Sequence, residues 1–163
     1  MKILVFSDSH GDTYGMRRAL FIHPDADYAI FLGDGIRDAE TVFSEFPSIS
    51  PLIVRGNCDF FQSDYPTERI LYAGGKKILI CHGHTFSVKG GRGGLIAEAL
   101  REGIDIALYG HTHEAHCDYV DENDRNFYLV NPGSIHRSHS GSGEYALIVI
   151  KGNDALVSLA TVS

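Results

Sequence analysis

Five short apolar stretches in this sequence each stop at a cluster of acidic, imidazole or amide side chains. Residues 2–6 run into Ser7-Asp8-Ser9-His10, 28–32 into Gly33-Asp34-Gly35, and 52–54 into Arg55-Gly56-Asn57-Cys58-Asp59. Residues 78–81 run into His82-Gly83-His84, and 105–109 into Gly110-His111-Thr112-His113. Short runs rich in Ile, Val, Leu and Phe are the pattern of buried strands. Ligand sites in α/β sheets lie beyond the carboxyl ends of such strands, so five ends would deliver these groups to one patch. Glycines at 33, 56, 83 and 110 suit sharp exits and close backbone approach. Taken singly the clusters are bland. An Asp after a strand commonly makes a turn or cap, and a lone His commonly packs or faces water. Together, in a chain with nine histidines, they read as a metal-binding constellation.

The rest of the composition narrows the classes. The 163 residues are 44% hydrophobic and 21% charged, which excludes disorder and fits one domain spanning 1–163. The longest apolar run, 145–150, is far short of the ~20 residues of a membrane helix. The apolar opening at 3–6 is too short for a secretory signal. Three cysteines (Cys58, Cys81, Cys117) without a C-x-x-C pair argue against a disulfide framework and for the cytoplasm. With 14 basic against 21 acidic side chains the net charge is −7, which disfavours a large nucleic acid as partner. A small local anion site remains compatible with that balance.

Element order predicts the fold class. Helical periodicity appears at 16–22, where Asp12 or Thr13 would cap, and again through Ile36, Ala39, Val42, Phe43 and Phe46 until Pro47 stops it. Alternation with strands at 2–7, 28–32 and 52–55 implies parallel βαβ units. Residues 69–72 and 76–81 flank a Gly74-Gly75 hairpin turn, and a helix at 95–102 ends at Gly103. A strand follows at 105–109. Residues 116–120 and 127–130 flank the turn at 121–126, and 145–150 and 155–162 flank Gly152-Asn153-Asp154. The expected architecture is α/β: a four-layer α/β/β/α sandwich of two facing mixed sheets with helices outside.

The five clusters resemble the motifs of the calcineurin-like metallophosphoesterases, namely D-x-H, G-D, G-N-H-[D/E], G-H and G-H-x-H. They stand here as Asp8-Ser9-His10, Gly33-Asp34, Gly56-Asn57-Cys58-Asp59, the pair around His82, and Gly110-His111-Thr112-His113. The short chain, the G-N-C-D variant and the loop Asn131-Pro132-Gly133-Ser134 resemble the small prokaryotic (YfcE-like) phosphodiesterase branch. That branch is also similar to the small scaffold subunit of the eukaryotic retromer coat. The resemblance implies two divalent metal ions bridged by Asp34. Asp8, His10 and His113 would complete the ligands of one, and Asn57, His82 and His111 those of the other. Imidazole and carboxylate donors suit transition metals, with Mn²⁺ named first and Fe, Zn or Ni as alternatives. A hydroxide bridging the metals would then attack a small phosphodiester, cyclic or nucleotide-like.

Cys58 departs from the family pattern, which places a histidine there. A neutral thiol is a poor donor, so this position implies weak activity on esters with poor leaving groups; the alternative is simple packing. Asp59 is a candidate for orienting a ligand histidine, or an ordinary turn acid. His84 is a candidate substrate contact or acid. Asn131, Ser134 and Arg137 could line a substrate pocket, with Arg137 on a phosphate oxygen, or form a plain loop. The Lys89-Gly-Gly-Arg-Gly-Gly94 stretch lacks Walker spacing and reads as a lid or flexible turn. His23, His116, His136 and His139 carry no motif and are expected to be structural or at the surface. Two non-hydrolase readings compete: a scaffold that keeps the fold and a vestigial metal site, and a metal-storage or sensing module. Oligomeric state is left open, a homo-oligomer included.

Overall fold

Alternation along the strands decides the layering. In the computed structural model, described over residues 1–122, 124–137 and 141–163, β1 (Lys2–Phe6) turns Ile3 and Val5 to one side and Leu4 and Phe6 to the other. The same division runs through β2 (Tyr28–Phe31), where Ile30 joins Ile3 and Phe31 joins Phe6. His139 lies outside the described residues, as does one residue of the 121–126 turn.

Two five-stranded sheets result. The first also contains β3 (Ser50–Ile53), β9 (Gly143–Lys151) and β10 (Asp154–Val162), in the order β10-β9-β1-β2-β3. The second contains β4 (Glu68–Ala73), β5 (Lys76–Cys81), β6 (Ile106–Leu108), β7 (His116–Glu122) and β8 (Arg125–Asn131), in the order β4-β5-β6-β8-β7. Both are mixed. β1, β2 and β3 run parallel, as do β5, β6 and β8, while β9, β10, β4 and β7 pair antiparallel.

Between the sheets Ile3, Val5 and Ile30 pack with Ile78, Ile80 and Ile106. Outside the first sheet, Phe6 and Phe31 meet Met16 and Leu20 of α1 (Tyr14–Ile22) and Val42 of α2 (Ile36–Ser44). Outside the second, Leu79, Ala107 and Leu129 meet Leu95 and Ala99 of α3 (Gly93–Glu102). The layers are therefore α/β/β/α, and each fully buried aliphatic or aromatic side chain adds roughly 1.5–3 kcal/mol. Capping at α1 falls to Asp12, whose Oδ1 accepts the Tyr14 N–H at 3.0 Å; the Thr13 side chain makes no cap bond. α2 starts at Gly35 with no cap of its own, and its first amides are met from elsewhere in the chain. Because β1, β2 and β3 share a direction, as do β5 and β6, their carboxyl ends emerge together within each sheet. A hydrogen bond from His82 Nδ1 to the Leu32 carbonyl, at 2.9 Å, ties the end of one sheet to the end of the other.

Candidate metal centre

The five strand ends converge as two groups of donor atoms. In the first, Asp8 Oδ1 lies 3.1 Å from His113 Nε2 and 3.8 Å from His10 Nε2, and the two imidazole nitrogens are 3.3 Å apart. In the second, His82 Nε2 lies 3.5 Å from Asp34 Oδ2, 3.2 Å from His111 Nδ1 and 3.1 Å from Asn57 Oδ1. Within each set of Asp and His donors all ligand atoms fall inside 4.8 Å of one another. The strand ends reach these positions through unusual backbone. Of the seven non-glycine residues with positive φ among the described residues, Asp8, His10, Asp34, His111 and His113 are five, with φ between 44° and 69°. Asp and His tolerate the left-handed region better than most residues, though it still costs on the order of 1 kcal/mol each.

Glycine is required where these turns touch. A Cβ on Gly56 would collide with the Asp34 carboxylate, and one on Gly110 with the Ser7 hydroxyl and the Asp8 carboxylate. The carboxylates are then fixed by backbone donors. Asp34 Oδ1 accepts the Cys58 N–H at 2.7 Å, and Asp8 Oδ2 accepts the His111 N–H at 3.1 Å and the Ser7 hydroxyl. Ser9 Oγ and the Gly11 N–H both donate to Asp38 of α2, which holds the loop carrying His10.

Two features of this packing fit a cation. Asp8 Oδ1 is buried and has no hydrogen-bond partner, because His113 Nε2 approaches it without hydrogen-bond geometry. A buried carboxylate oxygen is costly unless a positive charge completes it, either a protonated His113 3.1 Å away or a metal ion in place of that proton. Second, His82 donates from Nδ1 to Leu32, which in the neutral imidazole leaves the Nε2 lone pair free to ligate. That lone pair faces Asn57 Oδ1, whose amide NH₂ is turned to Cys58 Sγ at 3.3 Å. Acceptor facing acceptor repels; a divalent ion held by both would convert the contact into ligation.

The electrostatics follow from the same contacts. Burial pushes Asp8 up, but His113, His82 and Ser7 outweigh it and hold its carboxyl below the usual range. Asp34 is opposed by burial too, and His82 with the Cys58 N–H brings it well below. His113 is raised by contact with the Asp8 carboxylate, whereas burial and the neighbouring His82 lower His111. The Cys58 thiol is pushed up to about 11 by partial desolvation and the Asp34 carboxylate, so it is protonated at neutral pH.

The family model for the calcineurin-like phosphoesterase superfamily domain matches residues 1–153. The chain belongs to this family. A probable metallophosphoesterase of Bacillus subtilis is 32% identical over 160 residues, 96% of this chain and 89% of that one. A phosphodiesterase of Methanocaldococcus jannaschii is 28% identical, with 82% of this chain and 83% of that one covered. Among solved structures, a conserved protein of Streptococcus pneumoniae described as a predicted phosphoesterase superposes with a TM-score of 0.78 at 28% identity. That match covers 98% of this chain and 88% of the other.

Around this calcineurin-like centre, the remaining sequence candidates take other places. Among the described residues Asp59 meets no histidine. Its carboxylate accepts the backbone N–H groups of Asp34 (2.7 Å), Gly35 (2.9 Å), Ile36 (3.1 Å) and Gly56 (2.9 Å), which caps α2 and fixes the Asp34 turn. His84 does approach the centre: its ring centroid is 5.4 Å from His82 and 6.3 Å from His111, with Nδ1 buried and unpartnered. Burial and His82 lower its pKa. The three pocket candidates each engage a neighbouring loop. Asn131 is buried, and its amide donates to the Gly110 carbonyl (3.1 Å) and Thr112 Oγ1 (2.9 Å) while Oδ1 accepts the Gly133 N–H. Ser134 Oγ donates to the Asp8 carbonyl at 2.8 Å. Arg137 donates to Asp12 at 3.0 Å and stacks over Tyr14 at 4.2 Å. These side chains hold the loops that carry the donors. Ser7, Leu32 and Asp38, which orient the donors, give no sequence signal beyond ordinary strand-end and helix-start residues.

Proposed function

We propose that residues 1–163 act as one metal-dependent phosphodiesterase domain, hydrolysing a small phosphodiester of cyclic-nucleotide or nucleotide-like kind. The observation that supports it most directly is the pair of adjoining donor sets with an unpartnered buried oxygen on Asp8. Asp8, His10 and His113 would hold one divalent ion, Asn57, His82 and His111 another, with Asp34 serving both. His10 and Asp34, one from each set, line the same cleft. Mn²⁺ leads as cofactor, with Fe, Zn and Ni as alternatives for this nitrogen and oxygen donor set. Two such ions lower the pKa of coordinated water and draw charge from phosphoryl oxygens.

The chain's own residues do the rest. Asp59, Asn131 and Ser134 hold the donor-bearing turns, so little reorganisation accompanies the reaction. Leu32 fixes the His82 tautomer. His84 stands beside both His82 and His111 but belongs to neither donor set. Neutral at physiological pH, it would contact the substrate through a hydrogen bond to an ester oxygen rather than by giving up a proton. Cys58 stays a thiol and adds no positive charge.

Among the described residues no helix is long and apolar enough to cross a membrane. The cysteines are free, which suits a reducing cytoplasm. The test is to incubate metal-stripped protein with bis(p-nitrophenyl) phosphate, with and without Mn²⁺. Hydrolysis that requires metal and disappears in His82→Ala and Asp34→Asn supports the reading. Metal binding without turnover favours the scaffold or storage alternatives instead.

A further inference from the structure

The cleft that contains His10 and Asp34 has a volume of about 310 Å³, and its remaining wall is unlike the metal centre. The loop after β3 supplies Cys58, Phe61 and Gln62, and the first turn of α2 supplies Arg37. Phe61 is 88% exposed. A phenyl ring left in water forgoes roughly 2–3 kcal/mol of burial, so a flexible loop would be expected to fold it away. This loop is not free to do so. Asp59 binds four backbone amides at its start, and the Arg55 N–H donates to the Pro66 carbonyl at 2.8 Å across its base. Within it the Gln62 N–H donates to the Asp59 carbonyl, and the Tyr65 hydroxyl donates to Glu40 at 2.7 Å. The ring is thus presented beside the donor sets. Arg37, on the α2 side of the same cleft, makes no ion pair among the described residues.

We propose that Phe61 and Arg37 form a subsite for a planar aromatic arm of the phosphodiester, a nucleobase or comparable ring, with the phosphate at His10 and Asp34. The inference rests on the phosphodiesterase reading and extends it to substrate choice. Both groups offer flat faces: a phenyl ring stacks on a base, and a guanidinium adds a cation–π contact. The volume is that of a small-molecule site, at the low end of the usual ~300–1,000 Å³. Phe60, the neighbouring ring at 78% exposure, does not line the cleft.

The test compares two diesters with one leaving group, phenyl p-nitrophenyl phosphate and methyl p-nitrophenyl phosphate, on the Mn²⁺-loaded protein. The wild type should prefer the phenyl arm about tenfold in kcat/KM, mostly through KM. Phe61→Ala should bring the ratio to about one, Phe61→Tyr should restore it, and Phe60→Ala should leave it as in the wild type. Calorimetry with adenosine 5′-monophosphate and ribose 5-phosphate provides the readout without turnover: the wild type should bind the former about tenfold tighter, and Phe61→Ala should bind both alike. A ratio unchanged by Phe61→Ala overturns the subsite and leaves the phosphodiesterase reading intact, with the exposed ring then assigned to a protein contact. Absence of any hydrolysis overturns the phosphodiesterase reading, and the calorimetric pair still decides the subsite.

Discussion

The carboxylate of Asp59 accepts the backbone N–H of Asp34 at 2.7 Å, although the two lie on separate strand-end loops. Three more amides, of Gly35, Ile36 and Gly56, point to the same side chain. Asp59 is therefore the clamp that sets Asp34 against His82. Asp59→Ala would strand four amides, so it should cost about 3 kcal/mol or more in urea unfolding. It should also weaken Mn²⁺ binding, while Asp59→Asn, which keeps one acceptor oxygen, should lose less. An unfolding midpoint equal to that of the wild type would refute the clamp.

Asn131 and Arg137 should separate cleanly in kinetics. Removing the Asn131 amide frees Gly110 and Thr112, which flank His111. Asn131→Ala should thus lose roughly 1–3 kcal/mol of stability and lower kcat with little change in KM. Arg137 is engaged with Asp12 at the surface, where a pair is worth about 1 kcal/mol at most. Arg137→Ala should leave KM for a diester near the wild-type value. A large rise in KM would place Arg137 at the substrate.

These two residues also show where reading the sequence stops. The donors were legible because a buried strand announces itself by alternation and a strand end by its first polar residue. Asp8, Asp34, His82 and His111 fall at such ends. The layering was legible for the same reason, since Ile3 and Val5 must face a different layer from Leu4 and Phe6. What a polar side chain does after the strand end depends on which backbone amides the tertiary fold brings to it. Asp59 finds amides 23 to 25 residues upstream in the chain, and Ser134 finds the carbonyl of Asp8 across the molecule. No local pattern encodes those partners. Phe61 was silent because its meaning lies in sharing a cleft with His10, 51 positions away in number but adjacent in space.

Cys58 is exposed beside Asn57, so the position accepts a larger side chain. Its thiol, pushed up to about 11, supplies neither charge nor a strong donor near neutral pH. Cys58→His should raise turnover of alkyl esters, whose leaving oxygens need protonation, by about tenfold or more. Nitrophenyl esters, whose leaving groups need no proton, should change much less. Equal effects on both substrate types would show that the position does not act on the leaving group.

His113 and His111 should give the two donor sets different responses to pH. Contact with Asp8 raises His113, so without metal it still carries a proton above the ordinary histidine value of about 6.5. An ion entering the Asp8, His10 and His113 set must expel that proton, so affinity there should climb as pH rises through neutrality. Burial and His82 lower His111, which is already neutral at pH 7, so at that residue an ion meets no proton to displace. Calorimetric titration with Mn²⁺ in buffers of different ionisation enthalpy should therefore show more proton release by the wild type than by His113→Asn near pH 7. The gap should shrink as pH rises, because the wild-type His113 then loses its proton before metal arrives. Equal proton release from the two proteins would mean that the Asp8 carboxylate does not hold His113 protonated.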